Sequence, residues 1–541
     1  MGRDKKNSIK KKSIFTIIFQ FLEKYSTIIH SLLLLVSFII IYIFIFDTKL
    51  DLNGDNYNYI NYASSILEGK GYSSPYSAEY IPTNWYPPGY SFILATVMLF
   101  VGKNIIGLKI LNGLFFFGSI LILFLLIKKQ TNIALAFSVS LLLLLNTGLL
   151  RLSTIIMSEM PFVFFSIFSI YCAIKLDDHS KFWKSKYFYG AILSATLTFY
   201  LRTAGIVLIT SLVLHWIINK RWKLAGTSIV AVIFLYLPWM IRNMVYGIKG
   251  RYMEAIMAVN PWRPEEGQIN TISSFFSKMM GNLYDTTIRG FPETIFTFYK
   301  FSEISKSTII IIGILTLLII LFGAWKLKKL KYIVILYILG SIAMFLVWHG
   351  GNGTRYVWPI VPFLFYCFFN GIFMSLSWIL KDRGKKSFAF LPYLILILIF
   401  FYKPTIYEMN KMSALKIPQA YENYFEIARK VKDFKKNDIV VACRKPELFY
   451  FYSGVYVTNY LYSTDHKKVI KNLIESKVNF IVFEQLGYSS TGRYLLPAFN
   501  SNQELFSLKM HLENPDTFLY EFNLELAKRK VILWKRLAGE L

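Results

Sequence analysis

The feature that most constrains this chain is a series of long apolar segments, of which the first is the clearest. Residues 27–46 contain no Lys, Arg, Asp or Glu, and about twenty apolar residues are enough for one helix to cross a bilayer. Hydrophobic residues make up 55% of the 541 residues, and aromatic residues make up 18%. A soluble domain does not need so much apolar surface, so the sequence predicts a polytopic α-helical membrane protein.

Eleven segments of this kind predict about eleven transmembrane helices. They are residues 27–46, 107–127, 131–149, 158–176, 187–201, 203–219, 224–245, 307–325, 331–348, 356–380 and 387–403. The apolar residues 88–102 are placed at the outer interface, because a twelfth span would invert every later loop. With eleven spans, the short clusters of lysine and arginine between the helices all lie inside, in agreement with the positive-inside rule.

This topology predicts a multi-pass plasma-membrane protein in three parts. They are a basic cytoplasmic amino-terminus over residues 1–26, a transmembrane module over 27–403 with an outer loop at 47–106, and a small extracytoplasmic α/β domain over 404–541. In the last part, NDIVVACR and VNFIVFE have the pattern of short buried strands, with the helical segment HKKVIKNLIESK between them. FLYEF and VILWKR are expected to pair as a final antiparallel unit.

The charge and the cysteines exclude two other classes of site. The formal net charge is +28, but the basic residues lie in short clusters between apolar runs rather than on one soluble face, so nucleic-acid binding is not expected. The three cysteines show neither a disulfide framework nor the spacing of metal ligands. No dedicated metal site is therefore predicted.

Five charged residues stand at the predicted outer ends of the spans. Asp55, in NGDNYNY, is either a solvated loop acid or a general base for an incoming hydroxyl or amine. Glu159 opens a span, where its charge either favours the helix dipole or marks a functional site. Arg202, Arg242 and Arg355 each stand beside an apolar run. Single arginines there often snorkel to head groups, whereas three on one face suit a phosphate clamp.

Aromatic residues and prolines around these charges are expected to shape a cavity at the outer mouth. The segment Tyr86-Pro87-Pro88-Gly89-Tyr90 both starts an interfacial helix and forms one wall. The histidine before the Gly-rich turn of HGGNGTRY is either a hydrogen-bonding partner or a plain interfacial residue. The residues expected to line the cavity are Tyr57, Tyr86, Pro87, Pro88, His349 and Tyr356.

The order and common sidedness of these motifs resemble the GT-C superfamily. The likeness covers about residues 30–403 and is closest to bacterial members related to protein mannosyltransferases and aminoarabinose transferases. It rests on the acidic first outer loop, YPPG, the glutamate of the short second outer turn, LR-x-x-G, PW-x-x-RN-x-x-x-G and RY-x-x-P-x-x-P. The segment VVACRKPELFYFYSG also looks like the extracytoplasmic tail of some bacterial members.

The resemblance implies a GT-C fold and an inverting glycosyltransferase that uses a polyprenyl-phosphate sugar at the outer membrane face. It implies that Asp55 is the catalytic base or an acid that orients the acceptor, that Glu159 is the second acid, and that Arg202, Arg242 and Arg355 bind the donor phosphate. No cofactor is required by this chemistry, although some branches use a divalent cation, which Asp55 and Glu159 are able to hold.

The implied partners are the lipid-linked donor, membrane lipid and an acceptor that is a glycan, a lipid, a cell-wall polymer or a protein, with no nucleic acid. Asp55 is followed by Asn56, whereas protein mannosyltransferases often carry an Asp-Glu pair in the first loop. This departure weakens the case for a protein acceptor.

Three other functions remain open on the sequence. They are a lipid-linked sugar flippase or transporter, an oligosaccharide ligase, and a non-catalytic membrane scaffold or receptor whose tail binds a partner. The last of these leaves the paired acids and the outer arginines unexplained. Transporters tend to place polar groups near the membrane midplane and to show internal repeats. Here the spans are nearly free of charge at their centres, and the polar residues collect at one mouth.

Overall fold

The computed structural model describes residues 24–537, apart from residues 53, 78, 80, 177–180, 249, 251, 261–262, 349–352, 380–390 and 435–437. His349 and most of the basic amino-terminal segment, both singled out in the sequence, lie outside the described residues. The described chain folds into a helical membrane module followed by a small α/β domain, so the predicted fold class is confirmed.

The helices of the membrane module follow the apolar segments of the sequence. Their bounds are α1 Ser26–Ile45, α2 Asn56–Leu67, α3 Gly89–Val101, α4 Ile105–Gln130, α5 Ile133–Leu144, α6 Thr147–Ser153, α7 Glu159–Leu176, α8 Lys186–Leu201, α9 Gly205–Ile218, α10 Trp222–Val245, α11 Tyr252–Met257, α12 Ile272–Leu283, α13 Phe291–Ile295, α14 Lys306–Trp325, α15 Lys331–Val347, α16 Val361–Ile379 and α17 Ile399–Ala414. Short 3-10 or π turns precede several of them, including Tyr284–Gly290, Gly353–Tyr356, Trp358–Ile360 and Leu391–Leu398.

The eleven predicted segments are helical where they are described, apart from short breaks. By length and composition, seven helical stretches within the described residues are able to cross a membrane. The count becomes eight if α5 and α6, which meet at an angle of 62°, form one broken span. A multi-pass membrane protein is therefore shown, whereas the number and direction of the crossings stay predictions.

The outer loop predicted after the first span is a folded unit. It contains α2, a short antiparallel pairing of strand β1 (Ser73–Ser74) with strand β2 (Ile81–Pro82), and the apolar helix α3. Helix α3 has 13 residues and is therefore about 20 Å long, which is shorter than the hydrocarbon core of about 30 Å. Its length fits the interfacial placement proposed for residues 88–102.

Helices α14 and α16 pack backbone against backbone at two glycines, Gly323 and Gly371. A Cβ atom at Gly323 would lie 1.8 Å from the backbone oxygen of Cys367, and one at Gly371 would lie 2.4 Å from the backbone oxygen of Ile319. The Asn370 amide also donates to the Gly323 carbonyl at 2.9 Å. Small residues at such interfaces let apolar helices approach closely.

We expect Gly323→Ala to destabilise the protein by about 3 kcal/mol, because the added methyl group meets backbone rather than a movable side chain. The apparent unfolding temperature in detergent should fall by several degrees. Gly226→Ala in α10 is the matched control, since a Cβ there meets nothing within 4 Å and alanine favours the helix. Equal unfolding temperatures for the two variants would contradict the close approach of α14 and α16.

The α/β domain begins after α17, which continues past the predicted boundary at residue 404 to Ala414. Its helices and strands are α18 Gln419–Lys430, β3 Val440–Ala442, α19 Pro446–Ser453, β4 Tyr456–Thr458, α20 His466–Glu475, β5 Phe480–Phe483, α21 Leu496–Asn500, β6 Phe506–Leu512, β7 Thr517–Phe522 and α22 Leu524–Leu537. The sheet order is β4-β3-β5-β7-β6. Strand β3 is parallel to β4 and β5, whereas β7 is antiparallel to β5 and β6.

The predicted pairing of FLYEF with VILWKR is wrong. FLYEF belongs to β7, but its hairpin partner is β6, and VILWKR lies in helix α22. Ala527, Val531 and Trp534 pack on the hydrophobic core of the domain. Their spacing of four and three residues places them on one helix face, so VILWKR continues the helical pattern of the preceding residues.

The α/β domain rests on the outer loop of the membrane module. Helix α19 packs against α2, where the Asn61 amide donates to the backbone oxygen of Glu447 at 3.1 Å. The Val457 backbone N–H donates to the Tyr76 carbonyl at 3.0 Å. These polar contacts sit beside a hydrophobic cluster shared by both parts, so the domain covers the loop that carries Asp55.

Candidate active site

Four of the five charged residues singled out in the sequence meet at one place. Arg355 donates from Nη2 to Asp55 Oδ2 at 3.0 Å and from Nε to Glu159 Oε1 at 3.4 Å. Arg202 Nη1 lies 2.8 Å from the same Glu159 oxygen. Arg355 thus bridges the two carboxylates, and the cluster contains two acids and two arginines in mutual contact.

Asp55 immediately precedes α2 and is held from two sides. The Tyr86 hydroxyl donates to Asp55 Oδ1 at 2.9 Å. Burial, followed by the charge of Asp55, raises the pKa of Tyr86 well above 10, so this hydroxyl stays protonated and remains a donor. The neighbouring Asn56 side chain accepts from the Ile156 backbone N–H at 3.0 Å, which ties the start of α2 to the segment before Glu159.

Glu159 is the first residue of α7, and its side chain is 0% exposed. A carboxylate in the first turn of a helix is stabilised by the helix dipole. Ser158 reinforces the arrangement, since its hydroxyl accepts from Arg202 Nη1 at 3.3 Å and lies 3.1 Å from the Tyr59 hydroxyl. Within the described chain, Glu159 Oε2 has no hydrogen-bond partner, so one oxygen of this buried acid is left for another group.

Two glycines of the sequence motifs permit the close approach of backbones around Arg202. Arg202 lies in the break between α8 and α9, and a Cβ atom at Gly205 would stand 2.4 Å from the Phe199 nitrogen. Gly89 meets the same helix, since a Cβ there would lie 2.7 Å from the Tyr200 carbonyl oxygen. Glycine in LR-x-x-G and YPPG therefore lets the chain pack tightly where Arg202 reaches Glu159.

Arg242 lies outside this cluster in the structure. It donates from Nη1 to the Thr83 carbonyl at 3.0 Å and from Nη2 to the Tyr72 carbonyl at 2.5 Å, and its guanidinium lies 4.5 Å from the centre of the Trp239 ring. It therefore fastens the β1–β2 segment to α10. A mostly apolar cleft of about 310 Å³ lies beside it, lined by Tyr72, Pro88, Phe92, Tyr200, Pro238, Trp239 and Arg242.

The residues predicted to line one cavity are divided between several places. Tyr356 borders a second, smaller cavity that also touches Arg202, and its hydroxyl accepts from Trp348 Nε1 at 2.7 Å. Tyr57 faces the α/β domain, with its ring 5.3 Å from that of Phe451.

The residues of the YPPG segment contact two different regions, the charged cluster and the larger cleft. Tyr86 touches Asp55 and Pro88 lines the larger cleft, while Pro87 is the partly buried residue between them. Among the predicted wall residues, Tyr86 therefore makes the direct contact with the charged cluster.

Asn282 is a supporting residue that the sequence did not reveal. Its amide nitrogen lies 2.9 Å from the Leu346 carbonyl, 2.7 Å from that of Trp348 and 3.3 Å from that of Phe345. It thereby satisfies carbonyl groups at the end of α15, a few residues before Arg355. An asparagine within an outer-loop helix gives no local signal for this role.

The described residues contain no group of three or more His, Cys, Asp or Glu side chains that could hold a metal ion. In this conformation a guanidinium, that of Arg355, stands between the carboxylates of Asp55 and Glu159. A divalent cation bound by both acids would have to displace Arg355 or share these oxygens with it.

The family model of dolichyl-phosphate-mannose-protein mannosyltransferases, PMT, matches residues 26–249. This match includes Asp55, Glu159, Arg202 and Arg242, whereas Arg355 lies beyond it. No curated protein sequence matches the chain.

Solved structures match almost the whole chain. An oligosaccharyltransferase of Archaeoglobus fulgidus tethered with an acceptor peptide has a TM-score of 0.58 at 11% identity and covers 93% of this chain and 74% of its own. ArnT from Cupriavidus metallidurans bound to undecaprenyl phosphate has a TM-score of 0.56 at 9% identity, with 91% and 97% covered. The archaeal oligosaccharyltransferase AglB from A. fulgidus, in complex with an inhibitory peptide and a dolichol-phosphate, has a TM-score of 0.55 at 12% identity, with 92% and 74% covered.

At these identities the solved structures show the fold. The match of the PMT family model to residues 26–249 adds support for a glycosyltransferase. Together they confirm the predicted resemblance to the GT-C superfamily and support a membrane glycosyltransferase of that type.

Proposed function

We propose that this enzyme transfers a sugar from a polyprenyl-phosphate donor to a hydroxyl group of an acceptor, with inversion at the sugar carbon. The observation that carries the proposal is the contact of Asp55 with Arg355 and Tyr86 at the start of α2, beside the Glu159–Arg202 pair. The lipid phosphate is supported by the relatives, since ArnT was solved with undecaprenyl phosphate and AglB with a dolichol-phosphate.

In the proposed reaction, Asp55 is the general base. Its carboxylate removes the proton of the acceptor hydroxyl while the hydroxyl oxygen forms a bond to the anomeric carbon of the donor sugar. The bond between that carbon and the phosphate oxygen breaks, and the polyprenyl phosphate leaves with the electron pair. The donor is already activated, so the reaction needs positioning and charge stabilisation rather than a nucleotide.

Arg355 and Arg202 are proposed to bind the donor phosphate. The Arg355 side chain is 39% exposed, so it is accessible to a ligand while it contacts both acids. Arginine donates through a planar fork that matches phosphate oxygens. If Arg355 turns toward phosphate, Asp55 is freed for proton transfer, while Glu159 keeps its pair with Arg202 and is not left as an isolated buried charge.

The phosphate role predicted for Arg242 stays a prediction, and the structure suggests a different task for it. Its two terminal nitrogens bind backbone carbonyls of the outer loop. The cleft beside it has mostly apolar walls. We propose that Arg242 fixes this wall and that the cleft accommodates part of the polyprenyl chain.

The sidedness of the site is also part of the proposal. Asp55, Glu159, Arg202 and Arg355 all stand at the ends of helices on the face covered by the α/β domain. With the amino-terminus in the cytoplasm, as the distribution of lysine and arginine favours, this face is outside. The predicted division into residues 1–26, 27–403 and 404–541 follows from the same topology, although α17 continues to Ala414 before the α/β domain begins.

Transfer in proteoliposomes tests the proposal directly. Purified protein receives a radiolabelled polyprenyl-phosphate sugar, with a cell-wall and membrane extract as acceptor, and parallel samples receive the corresponding nucleotide sugar. We expect label to move to the extract from the lipid donor alone. Samples with a chelator, and with Mg²⁺ or Mn²⁺ restored, test the requirement for a divalent cation. Failure of transfer with several donor sugars, combined with movement of label across the bilayer, would favour a flippase instead.

A further inference from the structure

The region outside the carboxyl ends of the parallel strands β3 and β5, called the crevice below, carries two cations and a tyrosine. Strand β3 lies between β4 and β5, and the chain leaves β3 toward one side of the sheet and β5 toward the other. In open α/β sheets, ligands bind in the crevice at such a switch point. Arg444 and Lys445 follow β3 there, and Tyr488 follows β5.

Arg444 is a cation with aromatic neighbours and, among the described residues, without a direct ion pair. Its guanidinium lies 4.4 Å from the centre of the Tyr488 ring and 5.9 Å from that of Tyr462. Its Nε atom is buried without a hydrogen-bond partner. Within the described part of the chain, no acid lies within ion-pair distance of Arg444.

Lys445 adds a second cation to the same crevice. Its side chain is 9% exposed, and its ammonium group lies 5.6 Å from the centre of the Tyr488 ring. Two acids, Glu447 and Glu484, are near enough for their charges to interact with these cations, but neither forms a direct ion pair with them in the described structure. Glu484 accepts from the Leu486 backbone N–H at 2.5 Å and from the Thr491 hydroxyl.

Lys445 is buried without a direct ion pair, which is costly, and an anionic ligand would offset the cost. Arginine and lysine side by side suit phosphate oxygens. The rings of Tyr488 and Tyr462 near Arg444 have broad faces with apolar character, against which the carbon-bound hydrogens of a sugar ring can pack. The chemistry of the crevice therefore favours a sugar chain that carries phosphate.

The crevice is connected to the proposed active site. Helix α19 starts directly after Lys445, and the Glu447 backbone oxygen accepts from Asn61 on α2. Asn61 is six residues after Asp55, or about 9 Å along the helix axis. A short oligosaccharide would therefore reach from one region to the other.

A loop of the membrane module contacts Tyr494, which lies next to Tyr462. Tyr462 stacks on Tyr494 with their ring centres 5.2 Å apart. Glu265, from the loop after α11, lies 2.7 Å from Arg493 Nη2 and accepts from the Tyr494 hydroxyl at 2.9 Å. The surroundings of Arg444 are thus connected to the membrane module through Asn61 and through Glu265.

We propose that Arg444 and Lys445 bind a phosphate group of an anionic glycan acceptor, whose terminal hydroxyl is then presented to Asp55. This proposal rests on the proposed function, because only a transfer reaction has an acceptor. The binding step itself is measurable without turnover. A lipid head group offers the same phosphate chemistry, and the test separates the two sources.

The test measures binding to the full-length protein in nanodiscs made of zwitterionic lipid. The probes are a phosphodiester-linked oligosaccharide, a neutral oligosaccharide of equal length, inorganic phosphate and vesicles containing phosphatidylglycerol. We expect the phosphodiester-linked probe to bind with a Kd about tenfold lower than the neutral one, and added salt to reduce the difference. Equal affinity for both oligosaccharides, or full competition by the anionic vesicles, would overturn the proposal.

Variants then locate the binding site. Arg444→Gln should raise the Kd for the phosphodiester-linked probe about tenfold, and Lys445→Asn should act in the same direction while tolerating the positive φ of 64° at that position. Arg429→Gln is the matched control, because Arg429 also lies over a tyrosine ring, at 5.4 Å from that of Tyr452. An equal loss in the control would contradict a specific site, and unfolding temperatures identify any variant that fails to fold.

Turnover separates this proposal from the proposed function. In the transfer assay, Arg444→Gln should raise the KM for the acceptor with little change in kcat. Binding that depends on Arg444 in a protein without transferase activity would overturn the proposed function alone. If the rate of transfer to an anionic glycan were the same in Arg444→Gln, Lys445→Asn and wild type, the acceptor role of the crevice would be wrong and the proposed function would stand.

Discussion

Asp55→Asn is expected to lower the rate of sugar transfer by about 10²- to 10⁴-fold, the range that one general base supplies. Asparagine has nearly the same size and can still accept a hydrogen bond from Tyr86, but it cannot take a proton from the acceptor. The pair formed by Asp55 and Arg355 is partly exposed, so its loss should cost little stability. The measurement is the initial rate of label transfer in proteoliposomes with equal amounts of protein.

Glu68→Gln is the matched control for Asp55→Asn. Glu68 follows α2 in the same outer loop and forms an exposed pair with Lys70 at 2.8 Å, so its exchange should leave the rate unchanged. Donor binding by the Asp55→Asn protein should persist, because the arginines remain. If Asp55→Asn kept more than half of the wild-type rate, Asp55 would not be the general base.

The meeting of Asp55, Glu159, Arg202 and Arg355 could be predicted because each stands at the end of an apolar run. Once the distribution of lysine and arginine fixes the sidedness of the spans, these ends fall on one face. The helices were predictable for a similar reason, since a bilayer permits few alternatives to a helix for an apolar segment of this length.

Contacts between distant segments could not be predicted in the same way. Arg242 has the same local pattern as Arg202, yet it binds the carbonyls of Tyr72 and Thr83 because the outer loop folds back onto α10. The position of Arg444 depends on the strand order, which places β3 between β4 and β5. Neither arrangement leaves a periodic pattern in the nearby sequence.

The α/β domain shows where local patterns are ambiguous. VILWKR has strand-like apolar residues, but Val531 and Trp534 also complete a helix face that starts at Ala527. Short apolar runs can fit either period, and here packing on the domain core selects the helix. The true partner of β7 is β6, in which Ser507, Leu508 and Lys509 are all exposed and a register shift follows Leu508, so β6 has no regular alternation.

Arg355→Lys is expected to lower kcat by about 10²- to 10³-fold, which is typical for the loss of one preorganised donor to a developing negative charge. The arginine contacts Asp55 through Nη2 and Glu159 through Nε. A lysine ammonium is a single point charge and cannot provide this fork. The positive charge is retained, so the comparison reports on geometry rather than on net charge. The measurement is kcat and the KM for the lipid donor in proteoliposomes.

Arg289→Lys is the control for Arg355→Lys, because Arg289 forms an exposed pair with Glu293 at 2.7 Å and should tolerate the exchange. Arg355→Gly with added guanidinium chloride provides a second test, since a free guanidinium can occupy the vacated space between the two carboxylates. Partial recovery of transfer at millimolar guanidinium, without recovery by ammonium, would show that the planar donor set is what the reaction uses. A different result would be a wild-type kcat for Arg355→Lys together with a lost kcat for Asp55→Asn. Arg355 would then serve to orient Asp55 and Glu159. Another cation would have to neutralise the donor phosphate, and Arg202 is the nearest candidate.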